Sequence, residues 1–470
     1  MSTTTGTELW GLGASDLADA ISQKKVSSRE VVQAHLDRIA AVNPRLNAIT
    51  RVLADDALRA ADDADRALAS GADVGPLHGV PFTIKENVDV AGSATTQAVR
   101  MLAEAVPAVD APQVAHLREA GAIPIGRTNL PDFGLRWHTD NALHGPTKNP
   151  WDASRTPGGS SGGEAAALAT GMTPLGVGND LGGSLRWPAQ CCGICSLKPT
   201  LGRVPQATMI EPIDGPISIQ LMAVQGPMAR RVADLELALE MMSQPSPRDP
   251  WYVAMPLSGD EVKAPIRVAL VVDPSGQGVS AQVASGVRRA AEVLTAAGYA
   301  VEEIEPPELA MAAKNWNDIL GAEVRVMWQL MSPLVSDDAN RFMDMFLAGN
   351  PPLEMGEFVQ TFTARQALGR AWSEFQETYP LIVAPICTEP PFAVGDDLKE
   401  DRIQAIAAAM RMILPINLLG LPAVAVPTGV ADGLPQAVQV IGRRFREDLC
   451  LDAAEAIESA CGLLTPIDPR

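Results

Sequence analysis

The most unusual local feature of the chain is a glycine-serine loop, Gly158-Gly-Ser-Ser-Gly-Gly163, followed directly by the alanine-rich segment Glu164–Ala169. Nine of the 26 residues from Gly158 to Gly183 are glycine, against a usual share of about 7%. Glycine is needed where the backbone takes a positive φ or approaches a ligand closely. A helix that begins near Glu164 would direct its free N–H groups and positive dipole end toward the loop. The segment therefore predicts a binding or catalytic loop.

Two familiar uses of such a loop fit the neighbouring residues poorly. A phosphate-binding P-loop needs lysine and then serine or threonine after the last glycine, whereas Glu164 would place negative charge beside a phosphate. The segment from Gly158 to Gly162 also fits the nucleophile elbow of an α/β-hydrolase, in which the catalytic histidine follows the serine. Every histidine of this chain precedes Ser160, which excludes that type of Ser-His-Asp hydrolase. The histidines are His35, His78, His116, His138 and His144.

A serine hydrolase whose base is lysine is the third explanation of the loop. Lys85 ends the apolar segment Val80–Ile84, in a chain with only eight lysines. Burial there would lower the pKa of a lysine from about 10.4 toward neutrality, which would make the amine a usable base. The alternative is a lysine whose amine extends from the strand end into water. The local sequence leaves both open.

A second glycine-serine segment, Val177-Gly-Asn-Asp-Leu-Gly-Gly-Ser184, favours catalysis. It runs from a predicted strand into a Gly-Gly turn that ends on serine. Consecutive backbone N–H groups in such a turn can converge on one oxygen, as an oxyanion hole requires. Asp180 and Arg186 flank the turn, and we expect them to brace it as an ion pair.

Together these segments resemble the amidase signature family of serine hydrolases, including its aryl-amidase and urethanase-like members. The resemblance covers most of the chain; Pro157–Ala169 is similar to the signature loop and Asp180–Ala189 to the nucleophile segment. The spacings agree as well, because 24 positions separate Ser160 from Ser184 and 99 separate Lys85 from that nucleophile. The resemblance implies an α/β fold, with a large mixed β-sheet sandwiched between α-helices.

The resemblance also implies a Ser-cisSer-Lys triad, in which Ser184 is the nucleophile, Ser160 the bridging serine and Lys85 the base. The peptide between Gly159 and Ser160 is expected to be cis. Neutral Lys85 would draw a proton through Ser160 as Ser184 attacks the carbonyl, and the relay would return it to the leaving nitrogen. Water would then hydrolyse the acyl-enzyme. Such a reaction needs no metal and no organic cofactor.

Further residues gain a role from the same resemblance. The oxyanion hole would consist of the backbone N–H groups of Leu181, Gly182, Gly183 and Ser184. The supporting residues would be Ser161, Asp180 and Arg186. Asn179 stands where many members of the family carry threonine or serine, a change that we expect the site to tolerate.

Two segments are predicted to line the substrate pocket. One contains Gly134, Trp137 and His138, since the corresponding segment of the family tends to line the acyl pocket; Trp137-His138 replaces residues that are often small and polar, which would alter the substrate range. The alternative is a surface aromatic pair without consequence. The second segment, residues 310–350, is rich in methionine, which adapts to varied ligands. Its Met327 and Met331 would form an apolar entrance or, alternatively, part of the core.

The substrate class follows from that pocket. An apolar entrance favours a small-molecule amide or carbamate, such as an anilide, a fatty amide or a urethane, with ester cleavage as a side activity. A rival function is the glutaminase component of a tRNA-dependent amidotransferase, which would share the triad but pass ammonia to a second protein. A non-catalytic binding protein on the same fold is a further alternative, which retention of all three triad residues disfavours.

Composition restricts the partners and the compartment. The formal net charge of −19 over 470 residues repels phosphate backbones and anionic headgroups, so we expect neither nucleic acid nor membrane as a partner. The N-terminal segment lacks the pattern of a secretory signal, and no segment approaches the roughly 20 apolar residues of a membrane helix. We therefore expect a cytoplasmic enzyme, either a monomer or a homodimer.

Cys192-Gly-Ile-Cys195 has the spacing of a zinc or redox pair. A structural zinc site needs about four ligands, and the sequence contains no second pair to complete one. We therefore predict no metal site, and expect small buried residues on a helix packed beneath a loop.

The remaining patterns predict one α/β domain over residues 1–470. Residues 1–70 are predicted to be helical, residues 75–204 to carry the catalytic motifs, and residues 205–265 to form loops with one helix and a possible lid. The methionine-rich segment Trp316–Leu347 is predicted to be helical. Short apolar runs predict buried strands, which lie near residues 80–84, 122–125, 173–177, 266–272, 299–304, 381–384 and 423–426.

Overall fold

The structure is a computed structural model that describes residues 8–211 and 213–470. Its strands form one sheet of eleven. In chain order they are β1 (Ile49–Val52), β2 (Pro81–Lys85), β3 (Ile123–Thr128), β4 (Leu175–Asp180), β5 (Cys195–Lys198), β6 (Val224–Ala229), β7 (Arg267–Leu270), β8 (Ala300–Glu303), β9 (Leu381–Pro385), β10 (Ala423–Ala431) and β11 (Leu434–Gly442).

Helices flank this sheet along the whole described chain. They are α1 (Ala14–Ser22), α2 (Ser28–Leu46), α3 (Ala54–Ser70), α4 (Pro112–Glu119), α5 (Gly162–Ala169), α6 (Arg186–Cys192), α7 (Ile217–Met222), α8 (Val232–Met242), α9 (Ala281–Ala296), α10 (Leu309–Met331), α11 (Asp337–Gly349), α12 (Met355–Thr378), α13 (Glu400–Ala409), α14 (Leu414–Leu418) and α15 (Glu447–Cys461). None of these helices combines the length and the apolar character that crossing a bilayer requires.

The strand order places the three predicted catalytic residues at one edge of the sheet. The order is β1-β3-β2-β4-β6-β5-β10-β11-β9-β7-β8, with parallel and antiparallel pairs. Strand β2 is parallel to both β3 and β4, so the carboxyl ends of these strands meet, which is where α/β folds place their ligands. Lys85 ends β2, Ser184 follows β4, and the loop with Ser160 leads into α5, which contacts both strands.

Both faces of the sheet are covered, because successive side chains of each strand enter different cores. Ala423 and Ala425 of β10 join a core that includes residues of α2, α5, α6 and α10. Val424 and Val426 join a second core, formed with α1, α4, α8, α9 and α15. A mixed sheet between two helical layers confirms the predicted α/β/α fold.

All seven strands predicted from short apolar runs are confirmed, with ends shifted by a few residues. The confirmed strands are β2, β3, β4, β7, β8, β9 and β10. The helical prediction for residues 1–70 holds for α1, α2 and α3, although β1 interrupts it, and residues 1–7 lie outside the described residues. The capping box that begins α2 is present: the Glu30 N–H donates to Ser27 Oγ (3.1 Å) and the Ser27 N–H to Glu30 Oε2 (2.8 Å).

The helical prediction for Trp316–Leu347 is confirmed, and the segment consists of parts of α10 and α11. Helix α10 ends at Met331, just before Ser332 and Pro333, because proline cannot continue a helix from that position without losing a backbone hydrogen bond.

Two predictions of local structure are wrong. Residues 205–265 contain two helices and also β6, which lies in the middle of the sheet between β4 and β5. Cys195 begins β5 rather than lying on a helix with Cys192, although both are buried.

Gly226 of β6 provides a test of this central strand. A Cβ at this position would overlap the backbone oxygen of Leu197 in β5, so Gly226→Ala should destabilise the protein by about 1–3 kcal/mol and lower the thermal unfolding midpoint. Gly356→Ala is the matched control, because a Cβ there meets no atom within 4 Å and alanine favours a helix. Equal unfolding midpoints for the two variants would contradict the placement of β6.

Candidate active site

Threonine side chains fix the loop that carries Ser160. The Thr139 hydroxyl donates to the Gly158 carbonyl (2.9 Å) and accepts from the Gly162 N–H (3.1 Å). The Gly158 N–H donates to Thr156 Oγ1 (3.0 Å). The Gly159–Ser160 peptide is cis, as the sequence predicts. These contacts hold Ser160 at the start of α5, against β2.

Lys85 is fully buried, and its amine contacts the loop directly. Nζ donates to Ser160 Oγ (2.6 Å) and to Asn179 Oδ1 (2.7 Å). Burial lowers the pKa of Lys85 to about 7, although the negative charges of Asp180 and Glu164 oppose that shift. A lysine in this state is neutral in a large fraction of molecules near neutral pH. Of the two possibilities that the local sequence leaves open, the structure has the buried amine.

Glu164 is the second buried titratable group beside Lys85. Its carboxylate accepts from the hydroxyl of Thr83 in β2 and from Thr128 Oγ1 in β3 (2.7 Å). Burial raises the pKa of Glu164 to about 7, while the two threonines and Lys85 act in the opposite direction. Because the two charges interact, protonation of Glu164 affects the proton affinity of the Lys85 amine.

The turn before Ser184 is held by a buried ion pair, as the sequence predicts. Asp180 and Arg186 are both fully buried, with Arg186 Nε 3.1 Å from Asp180 Oδ2. The same carboxylate accepts from the Leu185 N–H (3.1 Å) and from Asn417 Nδ2 (2.9 Å). Burial opposes ionisation of Asp180, but the Arg186 guanidinium outweighs it and holds the pKa of that carboxyl well below its usual range.

Two tryptophans fix the direction of the peptides in this turn. Trp316 Nε1 donates to the Leu181 carbonyl (3.0 Å) and Trp137 Nε1 to the Gly182 carbonyl (3.2 Å). In a trans peptide the N–H points opposite to the carbonyl, so both N–H groups of these peptides point away from the indoles. The Gly183 N–H then donates to Asp180 Oδ1 (2.7 Å). Within residues 8–211 and 213–470, the Gly182 N–H has no acceptor.

Gly183 is required at its position by both conformation and space. Its φ of +102° lies in the region that favours glycine. A Cβ there would overlap the side chain of Ile413, the residue just before α14. The predicted Gly-Gly turn is therefore set by contacts from the distant segment 413–417.

Ser160 and Ser184 line the same cavity, of about 630 Å³. Polar side chains also line this cavity, including Asn87, Asp89, Gln113, Gln225, Arg248 and Asp249. Asp89 Oδ1 and Arg248 Nη2 are buried there and have no hydrogen-bond partner in the described chain. We call this space the polar cavity.

A second cavity, of about 280 Å³, also opens at Ser184 and is mainly apolar. Its walls include Phe133, Trp137, Trp316, Met327, Met331 and Phe342. We call it the apolar cavity. Gly134 lines both cavities and lies against Ser160, because a Cβ on Gly134 would be 3.1 Å from Ser160 Oγ.

The structure brings most of the predicted site residues together, with two differences. Gly134, Trp137, Met327 and Met331 line the apolar cavity, as predicted. His138 lines neither cavity; it is buried, and its Nδ1 contacts Thr156 Oγ1 (3.0 Å). This placement removes His138 from the predicted pocket. Ser161 is buried, but its Oγ has no hydrogen-bond partner in the described part of the chain.

Four residues of the site have contacts that the sequence did not predict: Glu164, Asn179, Trp316 and Asn417. Glu164 is part of the loop motif, but the sequence does not show that it lies opposite two threonines of the strands. Asn179 stands out in the sequence only as a departure from the family pattern, yet it accepts a hydrogen bond from Lys85. Trp316 and Asn417 lie far from the motifs in sequence, and no local pattern connects them with Ser184.

Comparison with known proteins identifies the family of the chain. The amidase family model matches residues 30–451. The chain is 45% identical to the indoleacetamide hydrolase of Bradyrhizobium diazoefficiens over 97% of its own length and 88% of that protein. It is 34% identical to a subunit of the glutamyl-tRNA(Gln) amidotransferase of Moorella thermoacetica, covering 96% and 97% of the two chains. A solved 6-aminohexanoate cyclic dimer hydrolase in complex with substrate has a TM-score of 0.85 at 27% identity, with 99% of each chain covered.

The chain therefore belongs to the amidase signature family. Its fold, its motifs and these relatives define an enzyme that hydrolyses the C–N bond of amides.

The buried ion pair predicts a large effect on stability. Arg186→Met removes the guanidinium and leaves the Asp180 carboxylate buried without its main partner, which typically costs about 3–5 kcal/mol. Arg29→Met is the control, because the ion pair of Arg29 with Asp62 is about half exposed and such pairs contribute about 0–1 kcal/mol. The unfolding midpoints of both variants measure the difference. An Arg186→Met protein as stable as the control would contradict the bracing role of the pair.

Proposed function

We propose that the chain is a stand-alone hydrolase of small neutral amides that carry an aromatic or other apolar acyl group. The observation that carries this proposal is the apolar cavity, whose aromatic and methionine side chains begin directly at Ser184. The name of the relative at 45% identity makes indole-3-acetamide the first compound to test. An indole ring is flat and apolar, and it matches walls formed by Trp137, Trp316 and Phe342.

The proposed chemistry begins with the pair Lys85 and Ser160. Neutral Lys85 accepts the Ser160 proton along their 2.6 Å contact, while Ser160 accepts the proton of Ser184. Ser184 Oγ then attacks the amide carbonyl. Burial supports this role, because it lowers the pKa of Lys85 to about 7, near the value that a general base needs.

Collapse of the tetrahedral intermediate requires a proton on the leaving nitrogen. The ammonium form of Lys85 returns its proton through Ser160 to that nitrogen, so ammonia or an amine leaves and Ser184 keeps the acyl group. Water enters by the polar cavity, and the same relay deprotonates it for attack on the ester. Hydrolysis restores Ser184 and releases the carboxylic acid.

The turn at residues 181–184 is the proposed oxyanion hole. Its carbonyls are held by Trp137 and Trp316, which leaves the Gly182 N–H directed away from the indoles. The Gly183 N–H is engaged by Asp180, so the donors that we assign to the oxyanion are those of Leu181, Gly182 and Ser184. Donors fixed before the reaction stabilise developing negative charge without the cost of reorganisation.

The two cavities would hold different parts of the substrate. The apolar cavity would hold the acyl group and the polar cavity the leaving group, because ammonia and small amines are polar and Asp89 carries an unpaired buried oxygen there. Aryl carbamates, anilides and esters present the same acyl carbonyl to Ser184. We include them as secondary substrates of the same site.

The glutaminase function of an amidotransferase component is a second candidate. The relative at 34% identity favours it, and so does Arg248, which lines the polar cavity and could bind a carboxylate. Asp89 and Asp249 line the same cavity and would repel that carboxylate. The other arginine that lines these cavities, Arg136, is already paired with the buried Asp397 (2.9 Å).

A release assay on the purified chain tests the proposed function. We expect turnover of indole-3-acetamide and phenylacetamide, weaker turnover of an aryl carbamate and a p-nitrophenyl ester, and none of glutamine. Ser184→Ala should lose all of these activities and retain the unfolding midpoint of the unchanged protein. Turnover of glutamine alone would support the amidotransferase role instead. Undiminished amide hydrolysis by Ser184→Ala would remove Ser184 as the nucleophile.

The buried amine predicts how activity depends on pH. Lys85 can accept a proton only when neutral, so kcat/KM should rise with pH through about 7, the pKa of Lys85, and level off above it. Glu164→Gln removes a charge that raises this pKa, so the rise should move to lower pH. Glu303→Gln, at an exposed carboxylate on β8, is the control and should leave the profile unchanged.

Lys85→Ala completes this test. It should lose activity across neutral pH and recover part of it at high pH, where hydroxide replaces the base. A profile that stays flat from pH 5 to pH 9 in the unchanged enzyme would rule out Lys85 as the titrating base.

A further inference from the structure

Another cavity lies outside the active site, between α12, α14 and the residues that follow β11. It encloses about 440 Å³. Four arginines line it: Arg365 and Arg370 from α12, and Arg443 and Arg444 from the segment after β11. The other main wall residues are Gln376, Trp372, Leu418 and Leu419. We call this space the arginine pocket.

The positive charge of the arginine pocket is largely uncompensated. Arg443 pairs with the exposed carboxylate of Glu377. Arg365, Arg370 and Arg444 have no carboxylate within 4.0 Å in the described residues. The four positive charges therefore lie together in a chain whose formal net charge is −19.

The arginines also repel one another. Burial lowers the pKa of Arg365, and the positive charge of Arg444 lowers it further. Arg365 Nε donates to the Leu418 carbonyl (2.7 Å) and a terminal nitrogen to the Leu221 carbonyl (3.2 Å). Neutral carbonyl oxygens satisfy its hydrogen bonds but not its charge. An anion in the pocket would relieve that repulsion.

A buried amide group provides independent evidence of a missing partner. Gln376 is 1% exposed and lines the pocket. Its Nε2 donates to no group in residues 8–211 and 213–470. An amide nitrogen left without an acceptor in a buried position typically costs about 1–3 kcal/mol. An anion that accepts from this nitrogen and from the arginines would satisfy it.

The apolar residues and the volume of the pocket indicate what size of ligand fits. Trp372, Leu418 and Leu419 are buried beneath the arginines, and the indole nitrogen of Trp372 already donates to the Pro307 carbonyl (2.8 Å). The floor therefore offers apolar contact and no further donors. The volume exceeds that of a single phosphate ion, so a compound with more than one anionic group can reach several of the arginines together.

We propose that the arginine pocket binds a small polyanion bearing phosphate or carboxylate groups. A guanidinium presents paired N–H donors that match the oxygens of either group. The walls supply three arginines without ion pairs and one unsatisfied amide. This site is separate from the amidase reaction and does not depend on the proposed substrate.

Calorimetric titration of the full-length chain at low ionic strength tests the proposal. Inorganic pyrophosphate and citrate are the probes, and they distinguish a preference for phosphate from one for carboxylate. We expect saturable binding of at least one probe at one site per chain. Added sodium chloride should weaken this binding, because salt screens the interaction of exposed charges.

Variants at the exposed rim locate the site. Arg370→Ala and Arg444→Ala should each weaken binding of the probe at least tenfold, which corresponds to about 1.4 kcal/mol. The control is Arg288→Ala, which makes the same change in net charge at an exposed arginine near Glu303 and should leave the affinity unchanged. Gln376→Met keeps a similar side-chain volume and removes the amide donor, so it should weaken binding several-fold.

Two outcomes would overturn the proposal. One is the absence of saturable binding of both probes to the unchanged chain. The other is an equal loss of affinity in Arg288→Ala and Arg370→Ala, since that would show a response to overall charge rather than to the pocket. Unfolding midpoints of all variants, measured alongside, ensure that a lost affinity comes from a folded protein.

Discussion

The active-site region depends on keeping one amine out of water at the carboxyl end of β2. Lys85 is fully buried, and its amine has Ser160 and Asn179 as hydrogen-bond acceptors. Desolvation alone disfavours the ammonium form, while Asp180 and Glu164 favour it, and the balance brings the pKa close to 7. If the carboxylates were absent, the pKa of the amine would be lower still. If water entered, the amine would remain charged.

The second constraint is the assembly of a short turn from distant parts of the chain. The turn 181–184 is held by Asp180 and Arg186 nearby, by Asn417 from α14, and by the indoles of Trp137 and Trp316. Each contact takes up a carbonyl or a carboxylate that would otherwise need water. Because these partners come from α6, α10, α14 and the loop that contains Trp137, the turn is defined only once the sheet and the helical layer that contains α10 and α14 are in place.

The sequence predicted the local chemistry of this site better than its surroundings. Lys85, Ser160 and Ser184 stand out because glycine-rich loops and a strand-end lysine are local patterns, and the parallel strands β2 and β4 do bring them to one edge. Strand β6 was missed because Val224–Ala229 contains glycine and proline, which are uncommon inside strands. The helical character of Trp316–Leu347 was predicted correctly, and Pro333 lies where α10 gives way to α11.

The remaining errors have a common physical origin. Trp137 and His138 are neighbours in sequence, yet only Trp137 faces the cavity, because successive residues of this loop point to different sides. The contributions of Trp316 and Asn417 arise from tertiary contacts across more than a hundred residues. Composition and spacing describe residues along the chain, whereas these contacts depend on how α10 and α14 pack.

Trp316 contributes both to the cavity wall and to the turn, and this limits how the substrate range of the enzyme can change. Its ring forms part of the wall of the apolar cavity, while its nitrogen holds the Leu181 carbonyl. On the proposed function, Met327 and Met331 can be exchanged for other side chains to admit a new acyl group, since neither holds a carbonyl of the turn by a hydrogen bond. A change at Trp316 would alter selectivity and rate together. We therefore expect new substrate specificities to evolve through changes near the C-terminal end of α10, at Met327 and Met331, while Trp316 near its N-terminal end is retained.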